Sequence, residues 1–193
     1  MTSKIQKLFS VIQIILKKHS LINLINDSNI VFEERFKQKY SNFTTLPQIE
    51  IKDLNDQIVI DHVESFLLDG SSLITDLQLL STLANRKTVN SYFEIGTWRG
   101  ESVYNVAKFV DDCTTLNLSE EEMHELGWPE KYAVQHGILS GKNPKILHLS
   151  RNTKTFDFAG LHKKKDLVFF DGDHSYEIVL KDTKKVFKNL LHK

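Results

Sequence analysis

The sequence predicts an α/β fold, in which a mostly parallel sheet is covered by helices on both faces. From residue 71 onward, short apolar segments alternate with amphipathic segments, and this alternation is typical of parallel strands joined by helical crossovers. Two glycines, Gly96 and Gly100, follow the first apolar segment, as expected where a strand turns sharply into a helix. The composition, 40% hydrophobic and 26% charged in 193 residues, fits one globular domain.

Residues 1–70 predict an N-terminal helical extension, and residues 71–193 predict the sheet-bearing domain. The stretch KLFSVIQIILKKHSLINLI is apolar at helical spacing, with lysines on both sides. Its longest near-apolar run, residues 8–16, is too short for a transmembrane segment, which takes about 20 residues. We expect an amphipathic helix that packs on the domain or on a partner, and a membrane-surface helix is the alternative. FEERFKQKY predicts a second helix, and NFTTLPQIEIKDLNDQ, which contains Pro47, predicts a loop.

The second region predicts four strands separated by helices. The strands are YFEI, CTTLNL, KILHL and DLVFF, and the helices are SSLITDLQLLSTLANRK, ESVYNVAKFV, SEEEMHEL and HSYEIVLKDTKKVFKNLL. Ser119 and Glu122 stand at the spacing of a capping box, which marks the start of the third of these helices. The apolar positions of the last helix are expected to face inward: Tyr176, Val179, Leu180, Phe187 and Leu190.

Charge and cysteine content exclude several classes of protein. Lysine and arginine total 25, as do aspartate and glutamate, and no basic stripe with aromatic residues stands out, so we expect no nucleic-acid partner. Cys113 is the one cysteine of the sequence, which makes an intrachain disulfide impossible and favours a reducing, cytoplasmic location. Because Cys113 lies in an apolar segment, we expect a small buried hydrophobe rather than a nucleophile.

The residues that follow each strand form the candidate site, because ligands of parallel sheets bind at the strands' carboxyl ends where the strand order reverses. The first strand leads into EIGTWRGES. Its glycines permit a sharp turn and close approach of a ligand, and backbone amides at the start of the next helix face the site. We expect Glu94 to turn its carboxylate into this crevice and to bind a cationic or hydroxylated ligand. The alternative is that Gly96 and Gly100 only shape the turn.

The spacing of this turn argues against two phosphate-binding motifs. Trp98 stands where a dinucleotide-binding Gly-x-Gly-x-x-Gly motif has its middle glycine. A P-loop ends in Gly-Lys-Ser/Thr, but Glu101 follows Gly100 here. A carboxylate combined with Gly-x-x-x-Gly suits a positively charged ligand better than a pyrophosphate. A nicotinamide-dependent oxidoreductase is therefore disfavoured.

Two segments resemble those of a known family. EIGTWRGES resembles the first motif of class I S-adenosylmethionine-dependent methyltransferases. DLVFFDGDHSYEIVLKD resembles the fourth-strand signature, Asp-Gly-x-His-Ser-Tyr, of a branch that includes sugar and natural-product O-methyltransferases and cephalosporin-hydroxylase-like proteins. The resemblance extends over residues 71–191. It implies a Rossmann-like fold, S-adenosylmethionine as cofactor, and O-methylation of a small molecule such as a sugar or a secondary metabolite.

The resemblance also implies which residues hold the cofactor. Five positions of the first motif would surround its methionine part, with the serine adding a hydroxyl: Glu94, Gly96, Thr97, Gly100 and Ser102. The family usually has acids after the second and third strands, where this sequence has Asn117 and Asn152. An amide can still bind a ribose hydroxyl or adenine, but without the charge-assisted contribution. We therefore expect weaker cofactor affinity.

Asp171 and His174 follow the fourth strand and are the candidate catalytic residues. The resemblance implies that Asp171 is a ligand of Mg²⁺ in metal-dependent relatives, where the metal lowers the pKa of an acceptor hydroxyl. His174 is the alternative, as a general base without metal. Structural roles are also open, Asp171 as a turn carboxylate and His174 as a residue that hydrogen-bonds locally at the start of a helix.

In the family, further strands follow the helix that here ends in KNLLHK. The C-terminal strands of the usual seven are therefore expected to be missing, either because the chain is a fragment or because the protein is truncated and binds cofactor weakly. The alternative function is a non-catalytic nucleoside-binding or interaction domain. The fourth strand would be an open sheet edge, which a homodimer could cover. An iron-dependent hydroxylase-like relative is only weakly disfavoured, by the scarcity of His-x-Asp pairs.

Overall fold

The computed structural model describes residues 4–18, 28–42, 48–161 and 163–191. The chain divides into two compact units, Met1–Gln48 and Ile49–Lys193. The described part of the first unit contains helices α1 (Lys4–Lys17) and α2 (Ser28–Lys39), where the sequence predicts helices. The extension of the first apolar pattern to Ile25 and residues 43–47 of the predicted loop lie outside the described residues. The described part of that loop contains a short helix at Ile51–Leu54, so the prediction is wrong there.

Helix α1 exposes most of its apolar side chains, including those of Ile5, Leu8, Phe9 and Leu16. Four lysines and no acidic residues occur in the first 18 positions, so this segment combines an apolar surface with positive charge. Across the described ranges, no helix is both long and apolar enough to cross a bilayer.

The second unit is built on a parallel sheet, which has four strands in the described residues. They are β1 (Ser91–Ile95), β2 (Asp112–Asn117), β3 (Ile146–Ser150) and β4 (Leu167–Phe170), in the order β3-β2-β1-β4. Every neighbouring pair is parallel, and Glu94 stands opposite Thr115 on one side and Phe169 on the other. The predicted α/β fold is confirmed. Because the strand order reverses between β1 and β4, their carboxyl ends border a crevice.

Helices cover both faces of this sheet. Their bounds are α3 (Ile51–Leu54), α4 (Ile74–Ala84), α5 (Glu101–Val106), α6 (Glu120–Glu125), α7 (Glu130–Gln135) and α8 (Tyr176–Asn189), with a 3₁₀ helix at Phe158–Gly160. The predicted capping box begins α6. The Ser119 hydroxyl accepts a hydrogen bond from the Glu122 amide at 3.2 Å, and the Glu122 carboxylate accepts one from the Ser119 amide at 2.9 Å.

Strand β1 sends its side chains alternately into two apolar clusters, because successive strand residues point to opposite faces. Tyr92 belongs to the cluster with α4 and α5, which contains Leu80, Ala84, Val103, Val106, Ala107, Val110, Cys113 and Ile146. Phe93 and Ile95 belong to the other, with Leu116, Phe158, Val186 and Leu190. Burial raises the pKa of the Cys113 thiol to about 12, as expected for a small buried hydrophobe.

The buried face of α8 differs from the predicted one. Four of the five predicted residues are exposed, namely Tyr176, Val179, Leu180 and Phe187. Leu190 is buried as predicted, and the remaining buried positions of the face are Asp182 and Val186. These three residues stand four positions apart, and through them the helix packs on the 3₁₀ helix. The four exposed apolar residues of α8 belong to neither apolar cluster of the described residues.

Residues 49–70, which the sequence assigns to the N-terminal extension, belong to the sheet-bearing unit. Val59 is buried, and its amide donates to the Thr82 hydroxyl at 3.1 Å. Further along, the Glu64 amide donates to Asn105 Oδ1 at 2.8 Å, and Asn105 Nδ2 donates back to the Glu64 carbonyl at 2.8 Å. We call residues 59–72 the strap, because these contacts hold the segment against α4 and α5.

Candidate functional site

A cavity of about 820 Å³ lies at the carboxyl ends of the strands. Residues that follow all four strands contribute to its wall, and these include most of the predicted site residues: Gly96, Thr97, Ser102, Asn117, Asn152, Asp171 and His174. The strap adds residues 69–72, and the connection between β2 and β3 adds Met123, Leu126, Trp128, Tyr132 and His136. Glu94 and Gly100 are the two predicted site residues that do not line it.

Gly96 lies where the ends of β1 and β4 touch. Its φ is +91°, and a Cβ built on it would lie 2.2 Å from the Asp171 carbonyl oxygen and 2.6 Å from the Gly172 Cα. The Asp171 amide donates to the Ile95 carbonyl at 2.7 Å, which fixes the two strand ends together. Only glycine combines this backbone conformation with so close an approach, so the residue shapes the floor of the crevice.

Gly100 serves packing next to the cavity. It is the N-cap of α5 with a φ of +83°, and a Cβ there would lie 1.9 Å from the Ser140 hydroxyl oxygen. Ser140 belongs to the β2–β3 connection, which docks on the same turn. The Gly137 amide donates to the Trp98 carbonyl at 2.7 Å, and the Leu139 amide donates to the Arg99 carbonyl at 3.0 Å.

Three aromatic side chains form one wall of the cavity. The rings of Trp98 and Tyr132 are 4.4 Å apart between centroids, and those of Trp128 and Tyr132 are 5.5 Å apart. Trp98 has a φ of +46°, an unusual conformation for a residue with a side chain. The β2–β3 connection therefore supplies two of the three rings that line the cavity.

Glu94 lies beneath the turn instead of in the cavity wall, and its predicted orientation is wrong. The residue is fully buried, and its Oε2 accepts hydrogen bonds from the Tyr92 hydroxyl at 2.5 Å and the Ser102 hydroxyl at 2.7 Å. The physical reason is strand periodicity. Tyr92 and Glu94 are two residues apart and so point to the same face, toward α5.

The buried carboxyl of Glu94 is protonated at neutral pH. Burial raises its pKa to about 8, the hydrogen bonds from Tyr92 and Ser102 partly oppose the rise, and the nearby Asp171 adds to it. Because the Ser102 hydroxyl already donates its hydrogen to Glu94, Ser102 can only accept a hydrogen bond from a ligand in the cavity. The Thr97 hydroxyl is different. It is buried and has no hydrogen-bond partner among the described residues, although Thr97 as a residue lines the cavity.

Asn117 is held by protein groups on both sides of its amide. Its Oδ1 accepts from the Thr97 amide at 3.2 Å, and its Nδ2 lies 3.3 Å from the Leu118 carbonyl and 3.1 Å from His136 Nδ1. Burial, assisted by the neighbouring His148, lowers the pKa of His136, so the ring is neutral and its Nδ1 can accept. One lone pair of Oδ1 then remains for a ligand hydroxyl.

Asn152 stands in the turn after β3. Its Oδ1 accepts from the Lys154 amide at 2.9 Å, and its carbonyl accepts from the Phe156 amide at 2.9 Å. Its amide nitrogen has no partner within the described ranges, and the residue lines the cavity. The side chain is therefore fixed by its oxygen and can donate to a ligand through its nitrogen.

Asp171 and His174 lie together at the cavity. Asp171 Oδ1 is 3.8 Å from His174 Nε2, which is within ion-pair range but too long for a hydrogen bond. Burial raises the pKa of Asp171; His174 opposes this rise and Asp76 adds to it. The His174 side chain is 80% exposed, because α8 begins two residues later. The structure therefore brings the two predicted catalytic residues together, with the imidazole freely accessible.

The described residues do not build a metal centre at Asp171. Among them, the one group of three candidate ligands within reach of a shared ion is Glu120, His124 and Glu130, exposed on α6 and α7. A hard cation such as Mg²⁺ prefers about six oxygen ligands, and Asp171 has no second carboxylate beside it in such a group. Use of Mg²⁺ at Asp171 stays a prediction, and we assign it no step.

Two buried charged residues of the cavity wall were not predicted from the sequence. Arg99 and Glu101 flank Gly100, both line the cavity, and they are 8% and 6% exposed. Both bind the strap, since an Arg99 terminal nitrogen donates to the Asp69 carbonyl and Glu101 Oε1 accepts from the Phe66 amide at 2.7 Å. The sequence feature that could have indicated them is a pair of opposite charges on either side of a turn glycine.

Known protein families and solved structures include proteins that are similar to this chain. The model of one protein family, described as a methyltransferase domain, matches residues 93–192. One solved structure, an O-methyltransferase from Bacillus cereus in complex with SAH, is 13% identical with a TM-score of 0.47, and the alignment covers 83% of this chain and 68% of that chain. A search of curated proteins found no match. Because the family match spans more than half of the sequence, the chain belongs to the methyltransferase domain family and is a class I S-adenosylmethionine-dependent methyltransferase.

Proposed function

We propose that this methyltransferase transfers the methyl group to a hydroxyl oxygen of a small molecule such as a sugar or a secondary metabolite. The observation that carries the proposal is the contact at Gly96, where the ends of β1 and β4 meet so closely that no side chain fits. The unpartnered Thr97 hydroxyl lies beside this crevice. A bare backbone turn next to a free hydroxyl suits the close approach of an extended polar ligand.

The residues present fit the cofactor. When bound, S-adenosylmethionine supplies a methyl group on a sulfonium sulfur, which leaves as a neutral thioether when an acceptor oxygen attacks the methyl carbon. Gly96 and Thr97 would contact its methionine part. Asn117 Oδ1 would accept from a ribose hydroxyl, and the Asn152 amide nitrogen would donate to adenine. Gly100, Ser102 and Glu94 would support the turn from behind, through the contacts with Ser140 and Tyr92.

Asp171 and His174 would act on the acceptor. His174 Nε2 is exposed at the cavity and can take the proton of the acceptor hydroxyl. The resulting imidazolium would be stabilised by Asp171, whose carboxylate lies 3.8 Å away. A general base of this kind contributes about 10²–10⁴ in rate. The partial burial of Asp171 strengthens this interaction, since fewer water molecules screen the carboxylate.

Two assays test the proposal. Isothermal titration with S-adenosylhomocysteine should show one binding site per chain, and labelled methyl transfer should occur to at least one compound of a panel of sugars and phenolic metabolites. His174→Gln should lower the transfer rate by about 10²-fold or more with unchanged affinity for S-adenosylhomocysteine. No binding at millimolar ligand would contradict the proposal. Binding without transfer to any acceptor would favour the non-catalytic interaction domain instead.

Three further expectations stay predictions. If the enzyme uses Mg²⁺ at Asp171, EDTA should abolish methyl transfer. If it does not, EDTA should leave the transfer rate unchanged. A homodimer that pairs the β4 edge predicts twice the monomer mass in sedimentation, and the exposed stripe of α8 supplies an apolar surface for it. A reducing, cytoplasmic location rests on the sequence alone.

A further inference from the structure

Most apolar side chains of helix α1 lie on one side of it. Because each residue of an α-helix advances by about 100° around the axis, these side chains fall within an arc of about 120°. We call the residues in this arc the apolar face of α1: Ile5, Leu8, Phe9, Ile12, Ile15 and Leu16. Val11 and Ile14 are the apolar residues of α1 outside the arc. An apolar arc of this width is typical of a helix that buries one side.

The apolar face of α1 is nevertheless open. The helix contains no buried residue, and the side chains of Ile5, Phe9 and Leu16 are 66%, 64% and 65% exposed. Scattered apolar residues on a surface need no explanation, whereas a contiguous apolar patch indicates an interaction site. The apolar face is such a patch, because its residues follow one another at helical spacing over the whole length of α1.

Positive charge accompanies this face. Lys4, Lys7, Lys17 and Lys18 occur in the first 18 positions, which contain no acidic residue. Lys4 borders the apolar face, and Lys7 and Lys17 project from the opposite half of the helix. Because basic and acidic residues both total 25 in the whole sequence, the rest of the chain carries a net negative charge. The excess positive charge is therefore concentrated on and next to α1.

Length and charge together select one kind of partner. A helix of 14 residues is about 21 Å long, shorter than the hydrocarbon core of a bilayer at about 30 Å, so α1 can lie on a membrane but cannot cross it. A second copy of α1 packed on the same face would place lysines near lysines, with no acid in the helix to pair with them. An anionic lipid surface offers acyl chains to the apolar face and negative head groups to the lysines.

We propose that α1 binds the surface of membranes that contain anionic phospholipids. The helix lies parallel to the membrane, and its apolar face inserts at the boundary between the head groups and the acyl chains. Lys4 contacts head groups at the edge of the face, and the other lysines are attracted by the negative surface potential. This binding does not depend on the proposed methyl transfer, so each can be tested without the other.

Flotation of the full chain with lipid vesicles tests the proposal. The wild type should float with vesicles of phosphatidylcholine that contain roughly a third phosphatidylserine. Binding to vesicles of phosphatidylcholine alone should be at least about tenfold weaker, because each lysine near an anionic surface contributes about fivefold. Binding to the mixed vesicles should also weaken as the salt concentration rises, because salt screens the attraction.

Ile12→Gln and Ile14→Gln form a matched pair on the same helix. Ile12 lies at the centre of the apolar face, whereas Ile14 lies on the opposite half, and both side chains are exposed. Ile12→Gln should weaken binding to the mixed vesicles by about tenfold, because it removes an inserted apolar side chain. Ile14→Gln should weaken it by less than about threefold. The chemical change is the same in both, so a difference between them reports the face and not the stability of the helix.

Lys7→Gln combined with Lys17→Gln tests the charge separately. The double substitution should weaken binding to the mixed vesicles by at least about tenfold and should reduce its dependence on salt. The same pair of changes at Lys184 and Lys188, which are exposed lysines of α8, is the control and should leave the binding unchanged.

Four results would overturn the proposal. The first is a wild type that floats with neither kind of vesicle. The second is equal binding to vesicles with and without phosphatidylserine, which would exclude a role for the lysines. The third is equal weakening by Ile12→Gln and Ile14→Gln, which would show that the apolar face does not insert. The fourth is a wild type that stays unbound but sediments as a dimer, which Ile12→Gln converts to a monomer, because the apolar face would then join two copies of the chain.

Discussion

Replacing Gly96 with alanine perturbs the contact between the ends of β1 and β4. The new methyl carbon would lie 2.2 Å from the Asp171 carbonyl oxygen and 2.4 Å from its carbon, and these are backbone atoms that cannot rotate away. A side chain at the Gly96 φ of +91° costs about 1–2 kcal/mol. Forcing the strand ends apart costs about 1–3 kcal/mol more. We therefore expect a total loss of roughly 2–5 kcal/mol in the free energy of unfolding.

Gly127→Ala separates the two contributions. Gly127 also has a positive φ, +71°, but a Cβ there would meet nothing within 4 Å, so only the conformational cost of about 1–2 kcal/mol remains. Urea denaturation of the wild type and both variants measures the difference. Labelled methyl transfer measures the second consequence, a rate reduced roughly 100-fold in Gly96→Ala because Asp171 is displaced. Equal destabilisation by the two substitutions, with transfer retained, would refute the close contact of the strand ends.

Three other predictions concern buried polar groups. Asn117→Asp should bind S-adenosylhomocysteine roughly fivefold more tightly in calorimetry, because a carboxylate accepts a stronger, charge-assisted hydrogen bond from the ribose. NMR titration should also show a raised pKa for His136. Weaker binding would count against the ribose assignment. Ser140→Ala should stabilise the chain by about 1 kcal/mol in thermal unfolding, because the buried Ser140 hydroxyl has no partner among the described residues; a large loss would reveal an unseen partner. Glu94→Gln should flatten the pH dependence of stability. The pKa of the Glu94 carboxyl is about 8 in the folded chain and near 4.3 in the unfolded chain. Between these two pH values the folded chain binds one more proton than the unfolded chain does. The free energy of unfolding of the wild type therefore falls as the pH rises, by at most about 1.4 kcal/mol per pH unit. Urea denaturation at several pH values from 5 to 8 measures both slopes, and equal slopes would contradict the buried, protonated state.

The positions of the four strands could be predicted from patterns in the sequence. Four apolar segments alternate with helical periodicity, and the structure places β1 to β4 on those segments. Site residues could be chosen because they directly follow strands, and the topology of a parallel sheet brings strand ends together. Gly96, Thr97, Asn117, Asn152, Asp171 and His174 accordingly share one cavity.

The orientation of Glu94 could not be predicted because all of β1 from Tyr92 to Ile95 is buried. Alternation between polar and apolar residues, which normally reveals the faces of a strand, is absent from such a segment. The sequence made the methyltransferase assignment depend on a carboxylate turned into the crevice, and that expectation fails. The assignment now rests on the family match over residues 93–192.

Two other features required three-dimensional contacts. The sequence predicted that the apolar side of α8 with Phe187 is buried. In the structure, the side with Asp182 and Val186 packs on the 3₁₀ helix instead. Arg99 and Glu101 resembled ordinary surface charges near a helix start. Their burial depends on the strap, whose contacts with Arg99 and Glu101 span 30 and 35 residues of sequence and leave no local periodic signal.

The crystal structure of the chain with S-adenosylhomocysteine tests the central claim most directly. The account predicts that the methionine part of the ligand contacts Gly96 and Thr97 and that the ribose lies at Asn117. A ligand bound elsewhere, or a cavity that stays empty at saturating ligand, would contradict it.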